Sequence, residues 1–397
     1  MSLTRREFGK MTLAGVPAAM FAPAGGILEA FTQAKPNSLI EGVQLGTITY
    51  SYRSMLDQSA EATLKYVVDS GISAIELMGG PVNDWARKKG NFKPSVAPEG
   101  RGGGQGRGGR GGPGGGREGG PAPTWAPVAN MKTGWGNDQP AGQWNGTPCP
   151  APSEGRGGGG QGRGGRGQQT PEQIAAAQAA AEEERKWRLG LSMDIFKELR
   201  KMYNDAGVTI YAVKDVREQT DEDLEYTFAV AKTLGASHVT LELPGPGSES
   251  GARLKRLGDT AAKHGMFVAY HTHQQGSMTA FDEAFAISKG NMANVDLGHF
   301  VAATNPGGSP MDFLTKHHAR ISSFHLKDRT KQEHCNLNLM WGHGETPIKE
   351  ILQLVKKNKW RIPASIELEY QIPEGSDAVK EVRRCVEYCR NALTART

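Results

Sequence analysis

The sequence predicts an α/β protein, a (β/α)8 TIM barrel with a long Gly/Arg-rich insertion after its second strand. Two observations lead there. Short apolar runs alternate with helix-length segments, the order that builds a parallel sheet. Four consecutive runs in the second half also end in side chains able to hold a divalent cation. These are Tyr270-His271-Thr272-His273, Val295-Asp296-Leu297-Gly298-His299, Phe324-His325-Leu326-Lys327-Asp328 and Ile366-Glu367-Leu368-Glu369. Strand C-termini of such a barrel converge on one rim, so this phasing gathers the four ends in one place. A single strand-end histidine is ordinarily a hydrogen-bonded structural residue, but four in successive units have no structural reason to share a phase.

The chain begins with Thr4-Arg5-Arg6-Glu7-Phe8-Gly9-Lys10, then a weakly apolar run over 11–21 and small residues at Ala22-Pro23-Ala24. A twin arginine before a modest hydrophobic stretch is the pattern of a twin-arginine export signal, here 1–34 with cleavage after Ala34. The run is too short and too interrupted to span a bilayer, and no other stretch reaches the needed length. A periplasmic or extracytoplasmic protein without stable membrane insertion is expected.

The barrel is expected over 39–397. Its first strand lies at 43–50, followed by a helix through Leu64-Lys65-Tyr66-Val67-Val68 that closes at Gly71, and the second strand lies at 74–78. After Gly79-Gly80 the repeat breaks off and returns near Thr170, which defines an insertion over 91–170 on the rim that carries the chemistry. Thr170-Pro171-Glu172-Gln173 starts a helix with a capping Thr, Pro at the first helical position and Gln three residues after the cap. That helix is expected to run through Met202 to Gly207. Strand three spans 208–213, and Thr220 before Asp221-Glu222-Asp223 caps the next helix. Strand four, 239–243, runs into Pro244-Gly245-Pro246-Gly247 and puts Glu242 near the rim. Strands five to eight are expected at 266–270, 294–297, 321–324 and 364–368.

Glycine accounts for 53 of 397 residues and is concentrated at 100–120 and 155–167. Seven arginines in these tracts against Glu118 contribute +6, while the whole chain carries a formal +5, so the remainder is close to −1. The basic balance belongs to the tracts. They bury too little apolar surface to order themselves, and they lack interleaved aromatic residues for base stacking, so no nucleic-acid partner is expected. Between them, Trp125, Trp135 and Trp144 mark a stretch apolar enough to dock on the barrel or cover its mouth. Cys149, Cys335, Cys385 and Cys389 show no CxxC spacing, and the last two lie one helical turn apart as packing residues.

The four strand-end motifs, His-x-His, Asp-x-Gly-His, His-Leu-Lys-Asp and Glu-Leu-Glu, together resemble the sugar phosphate isomerase/epimerase superfamily. These are the xylose-isomerase-like barrels of AP endonuclease family 2, which include D-tagatose 3-epimerase, inosose dehydratase and endonuclease IV. The resemblance implies one divalent metal on His271, Asp296, His325 and Glu367. A set of two imidazoles and two carboxylates suits manganese first, with cobalt, iron or zinc as alternatives. Many members carry Glu at the position of His271, and in the epimerases that residue also moves a proton. Glu242 on the adjacent strand is therefore either an additional ligand, in effect the displaced carboxylate, or half of an ion pair with a loop Arg or Lys.

Such a centre acidifies the proton next to the carbonyl of a keto-sugar and stabilises the enediolate. His273, on the same strand face as His271, is the first candidate base, with a supporting or ligating role as the alternative. Glu367 serves as ligand and base together, and Glu369 shares its face. His299 binds substrate or remains a solvated loop residue. Lys327 neutralises the enolate oxygen or pairs with Asp328. The expected activity is metal-dependent isomerisation or epimerisation of an unphosphorylated keto-sugar, since no Gly-rich phosphate cradle stands out. The alternatives are a lyase that eliminates the aglycone of 3-keto-glycosides and a non-catalytic carbohydrate-binding barrel. The expected partner is a small carbohydrate, and relatives imply a homodimer.

Overall fold

The computed structural model describes residues 35–93, 125–126, 143–144, 170–245 and 249–395. The expected leader, both Gly/Arg tracts, Trp135 and Cys149 lie outside the described residues.

Eight parallel strands close into a ring. They are β1 (Val43–Ile48), β2 (Ala74–Met78), β3 (Thr209–Lys214), β4 (His238–Glu242), β5 (Phe267–His271), β6 (Asn291–Asp296), β7 (Ile321–Leu326) and β8 (Ala364–Ile366). Each pairs with the next and β8 pairs back to β1, with Thr47 opposite both Ile366 and Ile75. The expected (β/α)8 barrel is the fold. A short strand at Leu39–Ile40 pairs antiparallel with β1 across Glu41 and Gly42, both at positive φ, and at Gly42 the absent Cβ removes the strain.

The strands alternate over their C-terminal halves. Ile75, Leu77, Val239, Leu241, Val295, Phe324 and Leu326 belong to the apolar core. The residues between them, Glu76, Thr240, Asn294, Ser323 and His325, are buried too, but touch one another across the ring. The barrel lumen is therefore polar. Such groups are tolerated inside only when their hydrogen bonds are made, which fixes these side chains in place.

The helices form the outer layer. α1 (Ala60–Asp69) is capped by Ser59 and ends at Gly71, φ +78, as the sequence suggests. The expected break after Gly79-Gly80 is not where the chain leaves the repeat: residues Gly79–Lys89 form α2, because Val82, Trp85 and Ala86 bury one helical stripe. Trp85 donates its indole N–H to the Ile195 carbonyl at 2.8 Å. The capping box at Thr170 and Gln173 is present and starts α3 (Pro171–Leu189). The expected continuous helix is instead two. Gly190 ends α3, and the Ser192 hydroxyl accepts the Asp194 amide at 3.2 Å to start α4 (Asp194–Asp205). Lys88 pairs with Glu61 in the first turn of α1, and Lys89 with Glu198 of α4 at 2.9 Å, so α2 ends beside helix N-termini at the rim end of the barrel.

Thr220 caps α5 (Asp221–Leu234) by accepting the Asp223 amide at 3.2 Å. α6 (Ser250–Lys263), α7 (Asp282–Ile287), α8 (Leu297–Val301), α9 (Pro310–His317), α10 (Ile348–Asn358) and α11 (Ala378–Thr394) complete the layer. Cys385 and Cys389 are free and buried on α11, the packing role expected of them. Among the described residues no helix is long and apolar enough to cross a membrane.

Candidate metal centre

The residue after or at the end of each of strands five to eight arrives at one point. One ligand atom each from His271, Asp296, His325 and Glu367 lies within 4.8 Å of the others, and all four residues are buried. His271 closes β5. Burial, then the nearby charges of Lys214 and His325, hold its ring well below the ordinary histidine value, so it is neutral and offers a lone pair. Its Nδ1 has no hydrogen-bond partner.

Asp296 ends β6 and caps α8, its Oδ1 accepting the His299 amide at 2.6 Å. That cap explains the Asp-x-Gly-His spacing. The other oxygen, Oδ2, lies 2.9 Å from Lys327 Nζ but off the line of any hydrogen bond. Burial lifts this carboxyl to about 7 against the pull of Lys327. Within the four-residue group His271 Nδ1 is thus buried without a partner, and Asp296 Oδ2 has only its ion pair with Lys327, so the group has donor capacity left to fill.

His325 is held at both nitrogens, with Nδ1 2.9 Å from Glu367 Oε2 and Nε2 2.8 Å from Glu76 Oε2. Burial alone would lower its pKa, yet the two carboxylates outweigh it and raise it to about 10. Lys327 does not pair with Asp328. Its Nζ lies 2.9, 2.8 and 2.7 Å from Asp296, Glu367 and Glu369. Asp328 turns away and accepts the backbone amides of Gly342, His343, Gly344 and Thr346 at 2.8–3.2 Å. Glu367 follows β8; burial works against its charge, but Lys327 and His325 hold its carboxyl well below the usual range.

With Glu76, Asp296, Glu367 and Glu369 ionised against Lys327 and protonated His325, the cluster carries −2. Uncompensated buried charge costs several kcal/mol per ion, so a divalent cation suits this set both in donor type and in charge.

A second group, His271, His273 and His299, also brings three ring nitrogens together. Arg329 donates to His299 Nδ1. Burial, then the charges of Lys327 and Arg329, depress the His299 pKa, so its single proton sits on Nε2 and no lone pair is left for an ion. His299 is a donor, with Nε2 3.9 Å from Glu369. His273 is 44% exposed, its ring centroid 5.1 Å from His271 and 4.9 Å from His299.

Glu242 stands outside both groups. Half exposed, it pairs with Lys214 at the end of β3 at 2.8 Å and lies 3.6 Å from His273. Glu76 was missed by sequence reasoning. Its signal was present as the single charge inside the apolar strand Ala74-Ile75-Glu76-Leu77-Met78, a position where an unpaired carboxylate is not tolerated.

The profile of the family described as xylose isomerase-like TIM barrel matches residues 172–389, more than half of the chain. No curated protein sequence matches. Among solved structures, the chain is similar to a sugar phosphate isomerase/epimerase from Parabacteroides distasonis (12% identity, 90% of this chain and 97% of that one, TM-score 0.46). It is also similar to the probable 3-DHS dehydratase involved in petrobactin synthesis from Bacillus anthracis (12%, 89% and 100%, 0.48). A third is a xylose isomerase domain protein from Planctomyces limnophilus (15%, 49% and 80%, 0.40).

Proposed function

We propose that this chain, which belongs to the xylose isomerase-like TIM-barrel family, is a divalent-metal-dependent isomerase or epimerase of an unphosphorylated keto-sugar. The observation that carries the proposal is the convergence of His271, Asp296, His325 and Glu367 on one buried point, with His271 Nδ1 unpartnered. A bound divalent ion, manganese first, would supply Lewis-acid polarisation of the carbonyl.

The side chains divide the remaining work. His273 takes the proton from the carbon next to the carbonyl, with Glu242 as its carboxylate neighbour. The C–H electron pair becomes the new C=C bond and the carbonyl π pair moves to oxygen, giving the enediolate. His299, donating from Nε2, and the Lys327 ammonium face the developing negative charge. In isomerisation His273 returns the proton to the former carbonyl carbon while the neighbouring hydroxyl passes its proton to the other oxygen and closes the new carbonyl. In epimerisation the ionised Glu367 or Glu369 on the Lys327 side is the opposing base for the substrate of the other configuration, with protonated His273 as donor. The same reading includes export through a leader at 1–34 and pairing into a homodimer.

The test is deuterium uptake from heavy water into a panel of ketoses and 3-keto-glycosides. Metal-dependent exchange at the carbon beside the carbonyl is expected, with a loss of about 10²–10⁴ in His273→Ala. Release of an aglycone together with exchange would assign the lyase reaction instead, and no exchange with any metal would leave a carbohydrate-binding barrel.

A further inference from the structure

We infer that Glu76 is the positioning residue of this centre: its carboxylate, fixed by donors lining the barrel lumen, keeps a proton on His325 Nε2 and leaves Nδ1 for the open side of the site. The inference rests on the reading that His325 ligates a metal.

Glu76 sits in the middle of β2 with no exposed surface. Three donors from three other strands converge on it. Thr240 of β4 donates its hydroxyl at 2.6 Å, His325 of β7 its Nε2–H at 2.8 Å, and Asn294 of β6 its amide at 3.3 and 3.4 Å. None of these partners is adjacent in sequence, so the carboxylate ties β2, β4, β6 and β7 together at one level of the lumen.

The chain continues away from the rim, and its proton directions can be worked out. Ser323 donates its one hydroxyl hydrogen to Asn294 Oδ1 at 3.0 Å. His238 Nε2, 3.0 Å from the same Ser323 oxygen, must then be the donor. Burial lowers the His238 pKa to about 4, so the ring is neutral and its Nδ1 accepts. Ser237 supplies that hydrogen at 2.9 Å, in preference to its 3.2 Å contact with the Tyr211 carbonyl. Every hydrogen from Ser237 through His238, Ser323 and Asn294 therefore points toward Glu76. Ser237 is exposed at the start of β4, so the array runs from the N-terminal end of the barrel to the centre. A run of aligned donors is polarised toward its end, and that end is the Glu76 carboxylate.

Carboxylates face both nitrogens of His325, but Glu367 on Nδ1 is shared with the Lys327 ammonium, whereas Glu76 on Nε2 otherwise receives only the neutral donors Thr240 and Asn294 and is the stronger acceptor. When the ring is neutral its remaining proton stays with Glu76, and Nδ1, which faces Glu367, carries the lone pair. A carboxylate behind a ligating histidine fixes tautomer and ring orientation, and its loss lowers metal affinity by about 10–100-fold.

Three variants test this by chelator competition for Mn²⁺. Glu76→Gln is expected to weaken binding about 10–100-fold with an unchanged circular-dichroism spectrum, and Glu76→Asp to recover part of the loss. Ser323→Ala cuts the array without touching a ligand and is expected to weaken binding a few-fold; it carries the test if Glu76→Gln fails to fold. In the Zn²⁺-loaded protein with ¹⁵N-labelled histidine, His325 is expected to show a proton on Nε2, shifted in Glu76→Gln. Wild-type affinity in both Glu76→Gln and Ser323→Ala, or a proton on Nδ1 of the loaded protein, would overturn the inference and leave the metal assignment standing. A wild type that binds no ion would overturn both.

Discussion

His325→Ala is expected to lose bound metal and turnover together and to unfold more easily by about 3–5 kcal/mol in the metal-free state. The size follows from what is left behind. His325 lies between Glu76 and Glu367, and removing it leaves both carboxylates buried without their shared cation, a change that typically costs about 3–5 kcal/mol. The pH dependence follows from the two shifts. His325 is raised from 6.5 to about 10, so its contribution is complete below pH 6.5 and is lost as pH rises through 10. Burial opposes the charge of Glu76, but His325 outweighs it and lowers the carboxyl from 4.5 to about 2, so that contribution is complete above pH 4.5 and is lost as pH falls through 2. The difference between wild type and variant is therefore expected to be largest between pH 4.5 and 6.5. Urea unfolding with a chelator present, at pH 5.5 and pH 9, reads it. A variant that keeps metal and activity contradicts the ligand assignment.

Lys327→Met separates binding from chemistry. Methionine matches the length of lysine but leaves Asp296, Glu367 and Glu369 without the ammonium they share. The metal-free protein is expected to lose about 3–5 kcal/mol of stability, largely recovered when Mn²⁺ is added, because the ion then compensates the three carboxylates. Turnover is expected to fall about 10²–10³-fold even in the metal-loaded variant, because the developing oxyanion loses its cationic donor. Thermal unfolding with and without Mn²⁺, beside initial rates, gives both numbers. Retention of full activity would remove Lys327 from the chemistry; loss of metal binding would make it a support for the ligands.

The barrel and the convergence of four strand ends were legible because both rest on periodicity, while the choice of His271, Asp296, His325 and Glu367 among the residues at those ends came from the resemblance. Strand ends recur at the same phase, and the fold converts that one-dimensional regularity into convergence on a rim. Glu76 and the lumen array were not legible for the opposite reason. Their partners, Thr240, Asn294 and His325, are separated from Glu76 by 164 residues or more, and only ring closure brings them together. The direction of Lys327 was open for a related reason. Its neighbour Asp328 was the obvious local partner, but four amides of the 342–346 turn claim that carboxylate and free the ammonium for the site. Local helix rules succeeded where a cap decides, at Thr170 and Thr220. They failed at 190–193, where Gly190 ends one helix and the Ser192 hydroxyl takes the Asp194 amide that a continuous helix would have used.

Bound metal, measured by elemental analysis after equilibrium dialysis against Mn²⁺ at pH 8 and pH 6, tests the central claim most directly. One ion per chain is expected at pH 8. Ligation needs both His325 Nδ1 and Asp296 Oδ2 free of a proton, and these groups are raised to about 10 and about 7, so affinity is expected to fall about tenfold per pH unit below 10 and more steeply below 7. Failure to bind manganese, cobalt, iron or zinc at pH 8 would contradict the account.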